Sequence, residues 1–406
     1  MTTREGMKEN MSVSKNMLMP QEEMLELKNK EQKIKIGIPS DFSKVEYRVP
    51  LTPQAIELLT SYGHEILIEK DAGKMASYSD KEYREAGAMI VDKKEEIFQS
   101  DIILRVAPFS SDEIEMLRGS QAVLSNMQIQ AHCSESIHQL MQKKVTTIAY
   151  ENIENEHGFL PIVHQMSQIA GATAITLASE YLSNAHHGKG VLFGEVTGIT
   201  PAELVIIGTS TAAEYAARAA LSLGILVKVF DTSVYDLSRL EEKLGRRIFT
   251  SVFYPKVLRK ALTSADAVIG AMQFNTVPKF KVSEDLVKQM KEGSVIIDLN
   301  ASQGGCFETT RCTDLNHPAF IKHGIVHYCV PNSQAIVART ASISLSNTLI
   351  PILLSIGESG GIDNYIKNSK GFRKGVYIYH GILTNPEISR MFHIPSKDID
   401  LLLAVF

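Results

Sequence analysis

The sequence predicts an α/β protein with two units, each a mostly parallel sheet connected by helices. Short apolar strands alternate with helical segments from Lys33 onward, and a second series of the same kind begins at Leu204. Such alternation predicts parallel sheets, because the connection between parallel strands needs a crossover that a helix supplies. The 406 residues are also enough for two domains of ordinary size.

The first unit can be followed element by element. Residues 33–38 alternate in polarity and stop at Pro39, a pattern typical of a strand. Thr52 is the predicted N-cap of the next helix, with Pro53 in its first turn and Gly63 after its end. Further strands are predicted within the segments 65–68, 88–91, 101–106, 122–127 and 145–150.

Three segments stand outside this alternation. Residues 1–32 carry charge and methionine but little core-forming sequence, so they are predicted to be a flexible N-terminal arm, with a short helix over residues 21–30 as an alternative. Residues 163–184 predict a long helix whose Ala and Gly would let a second helix approach closely. A second long apolar helix, residues 337–358, is predicted to return to the first unit.

Composition limits the classes of partner. The formal net charge is −4 and no long Lys/Arg cluster occurs, which argues against a nucleic-acid surface and favours a small-molecule partner. No apolar run reaches the roughly 18 residues of a membrane span, and the N-terminus lacks the apolar segment of a signal peptide. These features predict a cytoplasmic protein without a membrane partner.

Cysteine and histidine patterns predict no metal site. The four cysteines lack metal-binding spacing and are interpreted as reduced thiols: Cys133, Cys306, Cys312 and Cys329. His186 and His187 stand side by side in a Gly-rich segment, which suits a polar loop better than metal binding. Cys306 has no partner base in the sequence, so a nucleophilic role is not expected.

One turn of the second unit has the form of a dinucleotide-binding motif. In a G-x-G-x-x-G turn, the glycines permit the tight turn, the approach of pyrophosphate and close helix packing. Gly208, Ser210 and Ala213 occupy those positions here. Ser210 brings a side chain to the phosphate position, where its hydroxyl would be able to donate a hydrogen bond. Asp231, at the end of the next strand, is the expected acceptor for the ribose hydroxyls and favours NAD over NADP.

This turn leaves two interpretations open. Strand, helix, strand and acid in this order predict a Rossmann-type unit that binds NAD. The alternative is a Rossmann domain kept as a scaffold with an empty cleft, because two of the three glycines are replaced.

Several stretches together resemble the alanine dehydrogenase family, which shares its fold with the soluble NAD-binding subunit of proton-pumping transhydrogenases. They are "EYRVPLTPQAIELL", "MSQIAG", "GKGVLFGEVTGITPAELVIIG", "GSVIIDLNASQGGCFETT" and "HGIVHYCVPNSQAIVARTASISLSN", and the similarity runs in order from Lys33 to the C-terminal region. The resemblance implies an NAD-binding domain, residues 166–334, inserted into a substrate domain formed by residues 33–165 and 335–406. It also implies a homo-oligomer.

The family reaction is the reversible oxidative deamination of L-alanine to pyruvate and ammonia, with hydride transfer to NAD. By position, Arg48 matches the arginine that binds the substrate carboxylate, a task that suits a guanidinium fork. Ser167 and Asp231 match cofactor contacts, and Asn332 matches an asparagine beside the nicotinamide.

Three departures from the family pattern fall on the chemistry. Ala107 stands at the position of a lysine, Gln128 at that of a general acid/base histidine, and Ser302 at that of an aspartate. Two substitutes are conceivable from the sequence. Arg105 would bind a carboxylate unless an acid satisfies it, and His132 would reach the cleft if its loop folds back.

The sequence therefore supports two functions. The first is an NAD-dependent oxidoreductase acting on L-alanine or a related small amino acid, with altered proton-transfer groups. The second is a catalytically silent homologue that binds a nucleotide or metabolite or serves as an oligomeric scaffold. A transhydrogenase subunit is a third, more distant interpretation, because it requires membrane partners.

Overall fold

A computed structural model of the chain describes residues 32–41, 46–127, 134–273 and 280–405. The helix predicted over residues 21–30, and all of the predicted arm except Gln32, lie outside these ranges. Within them the chain forms two mostly parallel sheets connected by helices, which confirms the predicted α/β class.

The strands are named in chain order. They are β1 (Lys35–Ile38), β2 (Glu65–Glu69), β3 (Met89–Val91), β4 (Ile102–Leu104), β5 (Ala122–Ser125), β6 (Thr146–Ala149), β7 (Glu203–Ile207), β8 (Leu226–Phe230), β9 (Phe249–Ser251), β10 (Ala267–Gly270), β11 (Val295–Asp298), β12 (Ala319–Lys322), β13 (Ile325–Tyr328), β14 (Val376–Tyr379) and β15 (Ile382–Leu383).

The helices are named in the same way. They are α1 (Pro53–Ser61), α2 (Asp80–Glu85), α3 (Lys94–Ile97), α4 (Ser111–Met116), α5 (Ser134–Gln142), α6 (Pro161–Leu182), α7 (Thr211–Ser222), α8 (Val234–Leu244), α9 (Pro255–Ser264), α10 (Glu284–Val287), α11 (Ala338–Glu358), α12 (Ile362–Asn368), α13 (Lys370–Arg373), α14 (Pro386–Phe392) and α15 (Ile399–Val405).

Local signals in the sequence set several of these bounds. The Thr52 hydroxyl accepts a hydrogen bond from the backbone N–H of Ala55, so it caps α1 as predicted, and Pro53 occupies the first helical position. Central strands such as β4, β10 and β11 are buried along their whole length. This burial explains their continuous runs of Ile and Val, since a parallel sheet is covered on both faces.

The first sheet combines two distant parts of the chain. Its order is β15-β14-β6-β5-β4-β1-β2-β3. The strands β1 to β6 are parallel, while β14 pairs with β6, and β15 with β14, in antiparallel fashion. The C-terminal strands thus extend a sheet that the chain left before it built the second one.

The second sheet has the order β12-β13-β11-β10-β7-β8-β9. Its strands are parallel except for β12, which pairs with β13 in antiparallel fashion. Without the antiparallel strands, both sheets follow the doubly wound 3-2-1-4-5-6 order, which reverses between β1 and β4 in one and between β7 and β10 in the other. Ligands of such folds bind outside the carboxyl ends of the strands at these reversals.

The long helix α6 packs closely against α7, as its small residues predict. A Cβ atom added to Gly171 would lie 2.2 Å from the carbonyl oxygen of Ala212. Glycine is therefore needed at this contact, which fixes α6 against the helix that follows the nucleotide-binding turn.

One helical stretch, Ser333–Glu358, is long and apolar enough by length and composition to cross a membrane, with a mean hydropathy of 1.4 in its most apolar window. Half of that window is buried inside the protein. The buried residues Leu345, Leu349 and Leu353 of α11 belong to the core beneath the first sheet. A helix in the core of a soluble protein can have the same length and composition, and these contacts are those of a core helix.

Candidate active site in the cleft between the sheets

A cleft of about 970 Å³ lies at the carboxyl ends of both sheets. It is lined by residues that follow β1, β5 and β6 of the first sheet and β7, β10, β11 and β13 of the second. Five predicted site residues line it: Arg48, Ser167, Ser210, Ser302 and Asn332. The fold thus brings together side chains that are far apart in the sequence.

The Arg48 side chain enters the cleft from the segment after β1. Its Nε and Nη2 atoms donate to the two carboxylate oxygens of Glu46 at 2.7 and 2.6 Å, and its Nη1 atom lies 3.4 Å from the sulfur of Met166. Arg48 and Met166 both line the cleft, so this contact places the guanidinium in its wall. A guanidinium is the group that suits a substrate carboxylate.

The charge on Arg48 is maintained although only 5% of the residue is exposed. Burial disfavours the charged form, but the adjacent Glu46 carboxylate outweighs it, so the pKa of Arg48 lies above its ordinary value. Arg48 is therefore a charged group in the cleft wall, held in a buried ion pair with Glu46.

The predicted nucleotide turn lies across the cleft from Arg48. Gly208 has φ = +111°, and a Cβ atom there would lie 2.4 Å from the carbonyl oxygen of Ala271. Only glycine fits both the backbone conformation and this contact. Behind the turn, Ala213 is fully buried, which agrees with the close-packing role of the third position.

The Ser210 hydroxyl makes two hydrogen bonds within the turn. It donates to the carbonyl oxygen of Ala271 at 2.7 Å and accepts a hydrogen bond from the backbone N–H of Ala213, capping α7. The side chain thus braces the turn against the strand end of β10. The first amides of α7, which have no acceptor within the helix, remain suited to an anion.

Asp231 follows β8 beside the turn and is 8% exposed. Its Oδ2 atom accepts from the Thr209 hydroxyl at 2.8 Å, and its Oδ1 atom accepts from the backbone N–H of Ser233 at 3.0 Å. Strand, glycine turn, helix start and acid are in the arrangement that holds a dinucleotide with its ribose on the acid. The residues present therefore fit NAD.

Comparison with known proteins agrees with this geometry. Residues 37–170 match the model of the alanine dehydrogenase/PNT N-terminal domain, and residues 174–386 match that of the alanine dehydrogenase/PNT C-terminal domain. Alanine dehydrogenase of Mycolicibacterium smegmatis is 33% identical over 376 residues, 91% of this chain and 100% of the relative. Alanine dehydrogenase 2 of Staphylococcus aureus is 33% identical over 372 residues, 90% of this chain and 99% of the relative.

The chain belongs to the alanine dehydrogenase family. A solved L-alanine dehydrogenase superposes with a TM-score of 0.83 at 31% identity, over 89% of this chain and 99% of that one. A transhydrogenase from Sinorhizobium meliloti shares the fold, with a TM-score of 0.73 at 21% identity over 87% of this chain and 100% of that one. The family is one of NAD-dependent oxidoreductases, so NAD is the cofactor that this site is built for.

Arg105 does not replace the lysine of the alanine dehydrogenase family. Its guanidinium is paired with the carboxylates of Glu113 and Asp41, the latter at 3.1 Å, and Arg105 is itself buried. It is not among the residues that line the cleft. Of the two interpretations that the sequence left open, the one in which an acid satisfies Arg105 is correct.

A carboxylate that the sequence did not single out lies in the cleft. Glu151 follows β6, and its Oε1 atom accepts from the backbone N–H of Met127 at 2.7 Å. The neighbouring Tyr150 is buried, donates to the carbonyl oxygen of Val106 at 3.0 Å and has a pKa raised well above its ordinary value by burial. Tyr150 is thus a neutral structural group, and Glu151 supplies negative charge beside it.

The segment after β11 is held from behind by the buried Asp298. This carboxylate accepts from the backbone N–H groups of Asn300 and Cys306 and from the Thr310 hydroxyl at 2.5 Å, while burial raises its pKa. Ser302 is presented at the exposed surface of the segment, where it lines the cleft. Cys306 is fully buried, and burial raises its pKa well above the ordinary value, which disfavours the thiolate form that a nucleophile needs.

The remaining predicted residues are placed as follows. Ser167 projects from α6, and Asn332 lies after β13, both in the cleft wall. Gln128 and the suggested substitute His132 lie outside the described residues. Sequence reasoning missed Glu46, Glu151 and Thr209, although the acid two residues before Arg48 was a usable signal.

Neither His186 nor His187 lies at a metal cluster. In the described ranges, no group of three or more His, Cys, Asp or Glu side chains could hold an ion. The His186 ring lies 3.1 Å from the Glu180 carboxylate, and His187 adopts φ = +64° in the loop after it.

Proposed function

We propose that the chain is an NAD-dependent dehydrogenase that converts L-alanine, or a related small amino acid, reversibly into the 2-oxo acid and ammonia. The observation that carries this proposal is the placement of the charged Arg48 guanidinium in the wall of the same cleft as the dinucleotide turn. A cation that fixes the substrate carboxylate opposite a nicotinamide would set the Cα–H bond for hydride transfer.

The chain's own residues would divide the work as follows. Arg48 binds the carboxylate, while Asn332 and Ser302 contribute polar groups on the other wall of the cleft. Bound NAD⁺ supplies the acceptor for the hydride that leaves Cα. The resulting imine adds water and releases ammonia, and these steps need a group that accepts and returns protons.

Glu151 is our candidate for that group. It is a carboxyl group in the cleft wall, and the backbone N–H of Met127 holds its Oε1 atom in place. Glu151→Gln keeps the oxygen that accepts from Met127 but removes the proton carrier. We expect about a 10²-fold or greater loss of kcat with unchanged NADH affinity; unchanged kcat would exclude this role.

A second candidate function is a silent homologue that binds a nucleotide or metabolite or acts as an oligomeric scaffold. The observation that favours it is the composition of the cleft, whose described lining contains no histidine, lysine or aspartate. Ala107 and Ser302 leave two family positions without a titratable side chain. Binding of NADH without turnover of any small amino acid would support this function over the first.

We also propose a cytoplasmic homo-oligomer, as expected for a member of this family. For the homo-oligomer, light scattering should give a mass of at least twice the protomer mass, and the mass of a single protomer would contradict it.

We propose the domain boundaries that the sequence predicts, with residues 166–334 as the NAD-binding domain and residues 33–165 and 335–406 as the substrate domain. The division of the two sheets along the chain supports this proposal, since strands of the first sheet come from both sides of the second.

A further inference from the structure

The nucleotide turn carries two hydroxyl groups, on Thr209 and Ser210, and they donate hydrogen bonds to different strand ends. Ser210 donates to the carbonyl oxygen of Ala271 at the end of β10, and Thr209 donates to the carboxylate of Asp231 at the end of β8. Because β8, β7 and β10 are neighbours in the sheet, the turn after β7 is tied to the strand on each side. Consecutive residues thus supply braces in opposite directions.

The Thr209 brace acts on the acid that is expected to bind the ribose. Asp231 receives the Thr209 hydroxyl at 2.8 Å on Oδ2, and the Ser233 backbone N–H at 3.0 Å and the Thr232 hydroxyl at 3.4 Å on Oδ1. Donors from two different segments therefore fix the plane of the carboxylate. Each oxygen of a carboxylate has two acceptor directions, so Oδ2, which accepts from Thr209, keeps capacity for a ribose hydroxyl, whereas Oδ1 already accepts from two donors.

We propose that Thr209 is a positioning residue for the dinucleotide, which fixes the Asp231 carboxylate for the ribose hydroxyls and so sets the preference for NADH over NADPH. A carboxylate that is already ordered does not lose rotational freedom when the nucleotide binds. A fixed carboxylate also cannot turn away from a 2′-phosphate, so the repulsion that excludes NADPH is retained. This inference rests on the nucleotide-binding part of the proposed function and not on turnover.

The test compares dissociation constants for NADH and NADPH by calorimetry in variants of the full-length chain. Thr209→Val keeps the shape of the side chain and removes the donor. We expect about two- to tenfold weaker NADH binding, the cost of ordering one side chain on binding, and a smaller ratio between NADPH and NADH dissociation constants. Thr209→Ser keeps the hydroxyl and should restore both values.

Two further measurements separate this role from general support of the fold. In an Asp231→Ala background, Thr209→Val should have no additional effect on NADH, because the group that it positions is gone. Thr263→Val, which removes an exposed hydroxyl on α9 that donates only to the Arg259 carbonyl oxygen, is the matched control and should bind NADH like the wild type.

Three outcomes would overturn the inference. They are unchanged NADH affinity in Thr209→Val, equal weakening for both dinucleotides, and an undiminished effect without Asp231. Absence of NADH binding by the wild-type chain would overturn both this inference and the proposed function. Binding that does not depend on Thr209 would overturn this inference alone.

Discussion

The Arg48 guanidinium binds a buried carboxylate and also lines the cleft. Glu46 accepts from Nε and Nη2, and Nη1 lies 3.4 Å from the sulfur of Met166. These contacts hold the arginine rigidly in the cleft wall. Removing the arginine entirely would leave the Glu46 charge buried without its partner, which costs folding stability as well as function.

Arg48→Lys separates charge from geometry. Lysine keeps a cation beside Glu46 but has no fork, so bidentate binding of the substrate carboxylate is lost. We expect the KM for the amino acid to rise about tenfold or more, the loss of a hydrogen bond to a charged group, while the dissociation constant of NADH stays the same. Steady-state kinetics and calorimetry on the same samples check this. An unchanged KM would mean that Arg48 does not contact the substrate.

The three family positions without their usual side chains allow a test by restoration. A triple variant, Ala107→Lys, Gln128→His and Ser302→Asp, reintroduces the cation, the proton carrier and the aspartate together. One general acid/base contributes about 10²- to 10⁴-fold, and groups that act as a unit are not additive, so the gain in kcat should appear in the triple variant and be small in each single one. A triple variant no faster than the wild type would show that these positions do not limit turnover.

At the scale of elements, the turn after β7 depends on Gly208 both for its positive φ and for the approach of Ala271. Gly208→Ala should abolish measurable NADH binding and lower the free energy of unfolding by about 1–3 kcal/mol, because the backbone conformation is strained and the Cβ atom overlaps the carbonyl oxygen. Calorimetry and urea unfolding measure the two effects.

Gly245→Ala is the matched control for this substitution. Gly245 also has positive φ, +66°, at the end of α8, but nothing lies within 4 Å of an added Cβ atom. It should show the backbone strain alone, with NADH affinity preserved. Equal loss of NADH binding in both variants would mean that the close contact at Gly208 has no part in shaping the site.

Elements were more predictable than their contacts. The cap at Thr52 and the glycine of the nucleotide turn follow from signals within a few residues, so the sequence located them correctly. The partners of Arg105 were not predictable in the same way, because the sequence does not say which of several acids folds against it. The contact of the Ser210 hydroxyl was also not predictable, since its acceptor, the carbonyl oxygen of Ala271 just after β10, lies 61 residues further along the chain.

At the scale of the whole molecule, a buried histidine links stability to pH. His327 in β13 is fully buried, and its Nε2 atom lies 2.9 Å from the Thr309 hydroxyl and its Nδ1 atom 3.0 Å from the Ile325 carbonyl oxygen. Burial lowers the pKa of His327 to about 4. The neutral ring is therefore the form that fits the folded protein.

The sign of the effect follows from the proton that the folded state excludes. Between about pH 6.5 and pH 4 the unfolded chain binds a proton at this histidine and the folded chain does not, so stability falls as the pH drops through this window. Once the pH is below this window, the His327 proton has lowered the free energy of unfolding by about 3 kcal/mol. Urea unfolding at pH 7, 5.5 and 4.5 should show a steeper loss in the wild type than in His327→Gln, and parallel losses would contradict the assignment.

The parallel parts of the two sheets have the same strand order, and their reversal points open on a shared cleft. One side carries Arg48 and the other the dinucleotide turn, so we expect both halves to act on ligands at once. The most direct test is calorimetric titration of the purified chain with NADH, followed by pyruvate and ammonia in the same sample while nicotinamide absorbance is recorded. We expect NADH binding and then a loss of absorbance that requires both pyruvate and ammonia. NADH binding with stable absorbance for pyruvate and for other small 2-oxo acids, or no NADH binding, would contradict the proposed dehydrogenase function.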